Sequence, residues 1–214
     1  MVRQLRHIFI GHIAGVGTEA GVRLVIGAWR SSPFGAFTDV MVHQRDGDRV
    51  LIAPSGQVAD FVAATYRFDR VEVTPVEGIL SADRLLVRSA PLDLDVGIGG
   101  PAPLDLLLRL VPARLAVTPW WLRVIDPVAS RMVRGIHTAG TAGNGRREFY
   151  GVRRSRRVVS VSGRYRGDAL GALTRLDPPV EFGFASAPAT PQIVAVTTTI
   201  VEAPGFRPGP GGKQ

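Results

Sequence analysis

Val22–Gln44 reads VRLVIGAWRSSPFGAFTDVMVHQ, two runs rich in β-branched and aromatic residues on either side of the turn-forming segment Ser31-Ser-Pro-Phe-Gly35. That composition predicts a β-hairpin, Val22 to Arg30 against Phe37 to Gln44. With Arg30 pairing near Ala36, period-two alternation puts Leu24, Ile26, Val40 and Val42 on one face. The other face carries Val25, Trp29, Phe37, Asp39, Met41 and His43. Both faces are largely apolar, so both need cover. The expected fold class is therefore mainly β: an antiparallel barrel or strongly curved sheet, its interior mixing apolar and polar side chains, with helices packed outside or across one mouth.

Reading outward, Asp46-Gly47 is a turn signal and Arg49 to Ala53 a third strand. Val58, Phe61, Val62 and Thr65 then fall at helical spacing behind Ser55, predicting a short helix over about 55–66 with Ser55 as its N-cap. Strands follow near Arg70 to Val76, Arg84 to Ser89 and Leu92 to Ile98, the last with a wet face at Asp93 and Asp95. A helical insertion is predicted over about 103–135. Leu104, Leu107, Leu108 and Val111 keep helical spacing, and Thr118-Pro119 and Asp126-Pro127 each set a cap residue before a proline. Strands return at Glu148 to Arg153, Val158 to Arg164, Val180 to Ala185 and Gln192 to Val201. These elements form a single β-barrel-like domain over 1–203, and the Pro/Gly-rich tail 204–214 reads as disordered. Adjacent strands favour hairpins over βαβ crossovers.

Composition narrows the chemistry. The 214 residues are 45% hydrophobic, with 25 Gly, 16 Pro and no Cys. Disulfides, thiolate metal sites and thiol nucleophiles are excluded, and a reducing cytoplasmic location is expected. The apolar stretch Leu104 to Val128 is broken by Asp105, Arg109, Pro112, Arg114, Pro119, Arg123 and Asp126, so no membrane span is expected. Net charge is +8, carried by arginine; the only lysine is Lys213, in the tail. Arginine in place of lysine fits a GC-rich genome as readily as anion recognition. It also leaves no buried amine for Schiff-base chemistry.

Gly15-Val16-Gly17 is followed by a strand instead of a helix, so it is not a dinucleotide fingerprint. His7, His12, His43 and His137 are scattered, which predicts no metal site. There is no Gly-x-Ser-x-Gly elbow or phosphate loop, and no cofactor is expected. His43 shares a strand face with Asp39, but residues four apart on a strand lie about 13 Å apart. The densest polar stretch runs from His137 through a glycine-rich loop to Arg147, Glu148 and Tyr150 at the start of a strand. It reads either as an anion or carbonyl site at a barrel mouth or as a loop with surface ion pairs. Arg153, Arg154, Arg156 and Arg157 flank a presumed turn at Ser155, with Arg164 one strand on; this hairpin is either a nucleic-acid surface or a solvated, aggregation-resistant edge. The insertion, with Trp120 and Trp121, reads as a lid, a partner surface or core.

Asn144-Gly-Arg-Arg-Glu-Phe-Tyr-Gly151, Phe61-Val-Ala-Ala-Thr-Tyr-Arg-Phe68 and Val196-Thr-Thr-Thr199 resemble an uncharacterised family of GC-rich actinobacterial proteins, a resemblance that implies no activity. The strand order is similar, at fold level, to lipocalin-like or acetoacetate-decarboxylase-like barrels. For the second, the missing lysine puts the chemistry in doubt.

The leading expectation is a barrel that binds a small, partly apolar and anionic molecule in its interior, with Trp29, Asp39, His43, His137, Arg147, Glu148 and Tyr150 as candidate contacts. The alternative is an enzyme of isomerase or cyclase type acting on a carbonyl compound, with His43, His137, Glu148 or Tyr150 as acid/base groups. A third reading is nucleic-acid binding through the Arg153 to Arg166 hairpin. Oligomeric state is not readable.

Overall fold

The computed structural model describes residues 5–103, 105, 108, 139–141, 147–183 and 187–201; of Ala139–Thr141, Arg147 and Tyr150 it describes the backbone alone. The strands are β1 (Arg6–Thr18), β2 (Arg23–Ser31), β3 (Phe37–His43), β4 (Arg49–Ala53), β5 (Arg70–Val73), β6 (Glu77–Leu80), β7 (Arg84–Arg88) and β8 (Leu92–Pro101). They continue with β9 (Ala139–Thr141), β10 (Arg147–Tyr165), β11 (Asp168–Ala169), β12 (Leu173–Thr174) and β13 (Gln192–Val201), and α1 (Gly56–Ala63) follows β4. All strands belong to one sheet with the main order β5-β4-β3-β2-β1-β13-β10-β8-β7-β6. It forms a curled, open half-barrel.

The β2–β3 hairpin has the register that its alternation predicts, with Trp29 opposite Phe37, Gly27 opposite Asp39 and Arg23 opposite His43. Leu24, Ile26, Val40 and Val42 join Val50 and Ile52 of β4 in a core that also holds Leu85, Val87, Leu94 and Val96 from β7 and β8. Those strands stand at opposite ends of the sheet order, so this face is the inside of the curl. Its side chains fill it. The other face buries Val25, Met41, Leu51 and Ala53 against Val58, Ala59 and Val62 of α1 and against Leu176, Val180 and Phe182. Ser55 caps α1, its hydroxyl accepting from the Val58 N–H.

The curl brings β6 back to β3, where Gly78 lies against Thr38. A side chain at Gly78 would fall within 2.9 Å of Thr38 Cβ, closer than real Cβ atoms approach. The Arg166–Glu72 ion pair ties the end of β10 to β5 across the same gap.

Several expectations change. Arg6–Thr18, where no strand was expected, is one long strand paired to both β2 and β13. β6 is a strand where only a connection was expected. β4 and β5 pair in parallel, with α1 in the connection, so one crossover interrupts the antiparallel pattern. Val180–Gly183 is not a strand. The segment Arg153–Arg157 is not a turn but the middle of the continuous 19-residue β10. Register shifts at Val152/Arg154, Arg156/Val158 and Val158/Ser160 let β10 coil, pairing first with β13 and then with β8. Of the insertion, Pro103, Asp105 and Leu108 are helical; Leu104, Leu107, Val111, Trp120 and Trp121, like the tail 204–214, lie outside the described residues. No helix among the described residues is long and apolar enough to cross a membrane.

Replacing Gly78 by alanine forces β6 off β3. A loss of about 1–3 kcal/mol is expected from such overpacking, read as a lower urea midpoint, with faster amide exchange in β6 than in β1 or β13.

Candidate functional site

The site lies on the face opposite the packed interior. Trp29 sits two residues beyond Gly27 on the same face of β2, and Gly27 is the register partner of Asp39. The indole folds back over Gly27, and its Nε1–H donates to Asp39 Oδ1 at 2.9 Å. A Cβ at Gly27 would collide with both Asp39 Oδ1 and Trp29 Nε1, so glycine is what admits this hydrogen bond. Asp39 is 3% exposed. Burial pushes its carboxyl up to about 7, against the opposing pull of the Trp29 hydrogen bond and of its own backbone N–H.

Across the sheet, Glu148 of β10 is fully buried. Tyr66, just beyond the C-terminus of α1, donates its hydroxyl to Glu148 Oε1 at 2.7 Å. Between the two carboxyls lie β2, β1 and β13; Phe9 of β1 pairs with Thr198 of β13, and Glu148 pairs with Ile200. Thr198 is 2% exposed, and its hydroxyl has no hydrogen-bond partner among the described residues.

These residues line one cavity of about 40 Å³, walled by Phe9, Phe37, Phe61 and Met41. Phe9 is the hub of the aromatic wall, with ring centroids 5.5 Å from Trp29, 5.4 Å from Phe61 and 6.4 Å from Phe37. One ordered water needs roughly 10–15 Å³ of such space, so the cavity accepts about three non-hydrogen atoms. Pockets for drug-sized ligands run to roughly 300–1,000 Å³. Only a small molecule, or the tip of a larger one, fits.

Of the residues singled out in the sequence, Trp29, Asp39 and Glu148 meet here. His43 does not: it packs beside Phe182, with ring centroids 5.8 Å apart, at the far end of β3. There, burial and the nearby Arg23 guanidinium lower its pKa and favour the neutral ring. Arg23, 5% exposed, donates to the carbonyls of Pro178 at 2.8 Å and Gln44 at 3.1 Å, clamping the following loop to the hairpin. His137 lies outside the described residues, as do the side chains of Arg147 and Tyr150. Among the described residues no group of three or more acidic or histidine side chains is placed to hold a metal.

Phe9, Phe61, Tyr66 and Thr198 enter the site without having been candidates. Phe61 and Tyr66 read only as helix positions, and Thr198 as one of three successive threonines; what joins them to Asp39 is the sheet order.

The arginine segment is spoken for in part. Arg154 Nε lies 3.3 Å from the buried Asp105, which also accepts from the Ser155 N–H at 2.8 Å. Arg156 donates to Gly99 O at 2.9 Å and to Ala82 O. Among the described residues Arg164 reaches Gly167 O at 3.5 Å, and Arg157 is exposed. Side chains alternating along a coiled strand do not form the arginine-rich hairpin that a nucleic-acid surface called for. Arg153 lies near His12, whose pKa is lowered by burial first, then by Arg30 and Arg153.

No protein-family model matches the chain, and no curated protein does. The actinobacterial resemblance therefore stands without a matching family. Among solved structures the chain is similar to an acetoacetate decarboxylase from Legionella pneumophila, at 11% identity and a TM-score of 0.40, over 92% of this chain and 82% of that one. The likeness is loose, and no property of the site follows from it.

Asp39 makes stability pH-dependent with a definite sign. Its folded pKa of about 7 lies above the unfolded value, so its contribution is greatest below about pH 4 and is lost as pH rises toward 7. The slope is about 1.4 kcal/mol per pH unit. Between pH 5 and pH 8 the wild-type chain is expected to lose about 3 kcal/mol through this group. Asp39→Asn, which keeps an acceptor for Trp29, is expected to lack that component in urea denaturation at the two pH values.

Proposed function

We propose that the protein binds a small, partly apolar molecule in the Asp39–Glu148 pocket. The observation that carries this reading is a cavity walled by aromatic rings into which a buried, unpartnered hydroxyl and a near-neutral carboxyl both face. A fold gains nothing from such groups on their own account: an unsatisfied buried hydroxyl costs roughly 1–3 kcal/mol. Polar groups that converge on a small apolar cavity orient a ligand. The ligand is placed on the other face of the sheet because the middle of the curl is packed with side chains, although a cleft of about 530 Å³ lies at its end beside Val22, Tyr165 and Leu170.

A second reading, an enzyme acting on a carbonyl compound, is favoured by Asp39 in particular. A carboxyl that titrates near 7 can take and return a proton under working conditions. Trp29 holds it in place, and Tyr66 and Glu148 form a second proton-bearing pair on the opposite wall. His43, at the far end of β3 beside Phe182, does not belong to this reading.

Thr198→Val tests the binding role, because valine has the same shape without the hydroxyl. The variant is expected to be about 1 kcal/mol more stable than wild type and to bind a copurified small molecule more weakly, seen as a reduced adduct in native mass spectrometry. A destabilised variant with undiminished adduct would overturn the reading. The enzymatic reading predicts exchange of the α-protons of acetone in D₂O, followed by proton NMR, above the buffer rate and abolished in Asp39→Asn.

A further inference from the structure

Register sets three basic side chains in a row across the end of the hairpin. Arg23 of β2 stands opposite His43 of β3, and His43 stands opposite Arg49 of β4. Their odd-numbered positions share the outer face with Val25, Met41 and Leu51. Like charges directly opposite one another destabilise a sheet, so the row is tolerable while its middle member is neutral. Burial sharpens the constraint: Arg23 is 5% exposed and His43 6%. A protonated imidazole carries an N–H on both nitrogens, and His43 Nδ1 is buried with no hydrogen-bond partner among the described residues.

The segment that covers this row is held by it. Arg23 donates to the Pro178 carbonyl at 2.8 Å, and Arg49 Nη1 to the Glu181 carbonyl at 3.5 Å. The His43 ring lies against Phe182, which packs in turn on Phe68 with centroids 5.6 Å apart. Leu176, Val180 and Phe182 thereby cover Val25, Met41, Leu51 and Ala53. The charged groups that face His43 are Arg23 on β2, Arg49 on β4, Asp69 just before β5 and Glu181 in the covering segment, with Asp177 beside Arg23. Asp69 is engaged with Arg49 through two side-chain hydrogen bonds of 2.9 Å, and Glu181 is exposed. Burial and the Arg23 guanidinium outweigh both acids and lower the His43 pKa.

We propose that the Arg23–His43–Arg49 row is an acid-sensitive latch, in which a proton on His43 releases segment 178–182 from the outer face of the sheet. Lifting the segment gives the charged ring to water, where its pKa returns to the ordinary value of about 6.5. The closed form binds the proton more weakly than the open one, so opening becomes easier as pH falls below about 6.5, by up to about tenfold per pH unit. Asp39 acts in the opposite sense over the same range. Global stability therefore mixes the two effects, and a local readout separates them. The latch does not depend on what the Asp39–Glu148 pocket holds, although Val25 and Met41 lie both under the covering segment and in the pocket wall.

The test is amide exchange of the full-length protein at pH 7.5 and pH 5.5, each rate divided by the intrinsic rate at that pH. The Arg67 amide donates to the Phe182 carbonyl at 3.0 Å and reports on the segment. Its opening constant is expected to rise about tenfold at the lower pH, while those of β1 amides paired with β13 do not rise. In His43→Gln, whose side chain does not titrate, the rise is expected to vanish. An Arg67 opening constant that stays flat between the two pH values overturns the latch. An equal rise in β1 marks global unfolding and overturns it as well. A full rise in His43→Gln moves the switch to another group and overturns the assignment to His43. Should that variant not fold, the ring titration of wild-type His43 by NMR decides: a midpoint below about 6.5 is expected, and one at or above that value overturns the proposal.

Discussion

A sheet that is apolar on both faces must be covered twice, and most of this architecture follows from that. Burying apolar surface yields about 25 cal/mol per Å², so neither face of β2 and β3 can be left to water. The inner face is covered by the sheet itself, which curls until β7 and β8 press their leucines and valines against β3 and β4. Among the described residues the outer face has no second sheet. Helix α1 and the segment around Leu176–Phe182 serve there, and they cover one end of the hairpin better than the other. The candidate site lies where this cover thins to a few aromatic rings.

The parts of the fold legible in sequence are those written in local pattern. The β2–β3 register, the two-faced core, the Ser55 cap and the wet face of β8 each depend on alternation or capping within a few residues. β1 is illegible for a physical reason. Its glycines look like breakers, yet a side chain at Gly11 would strike the Ala28 carbonyl and one at Gly17 the Arg175 carbonyl. They mark close approach of neighbouring backbone, information that lives in the partner strands. The arginine run of β10 misleads in the opposite sense. Charge suggests a turn, but pairing with β13 on one side and β8 on the other outweighs intrinsic preference. The site is half legible for the same reason: register alone brings Trp29 and Asp39 together, whereas Glu148, Tyr66 and Thr198 join them only through the order of β1, β13 and β10.

Two buried charged groups show how differently the chain treats such positions. Arg23 donates from its two terminal nitrogens to the Pro178 and Gln44 carbonyls, and its work is to hold the Pro178 loop in place. Asp39 is held by the Trp29 indole and its own backbone N–H, and burial outweighs both. A group left in that condition weakens the fold. Violations of this kind concentrate where a structure serves something other than its own stability.

The alternation along β2 and β3 has one more consequence. Residues that line the pocket, such as Trp29, Asp39 and Met41, are interleaved one by one with residues that fill the interior, such as Ile26, Val40 and Val42. The two sets share a backbone but not a neighbourhood. A lineage carrying this sheet is therefore free to retune the pocket by point changes on the odd-numbered positions while the even-numbered ones keep the framework, so that diversification of ligand and inheritance of fold proceed on separate tracks of the same strand.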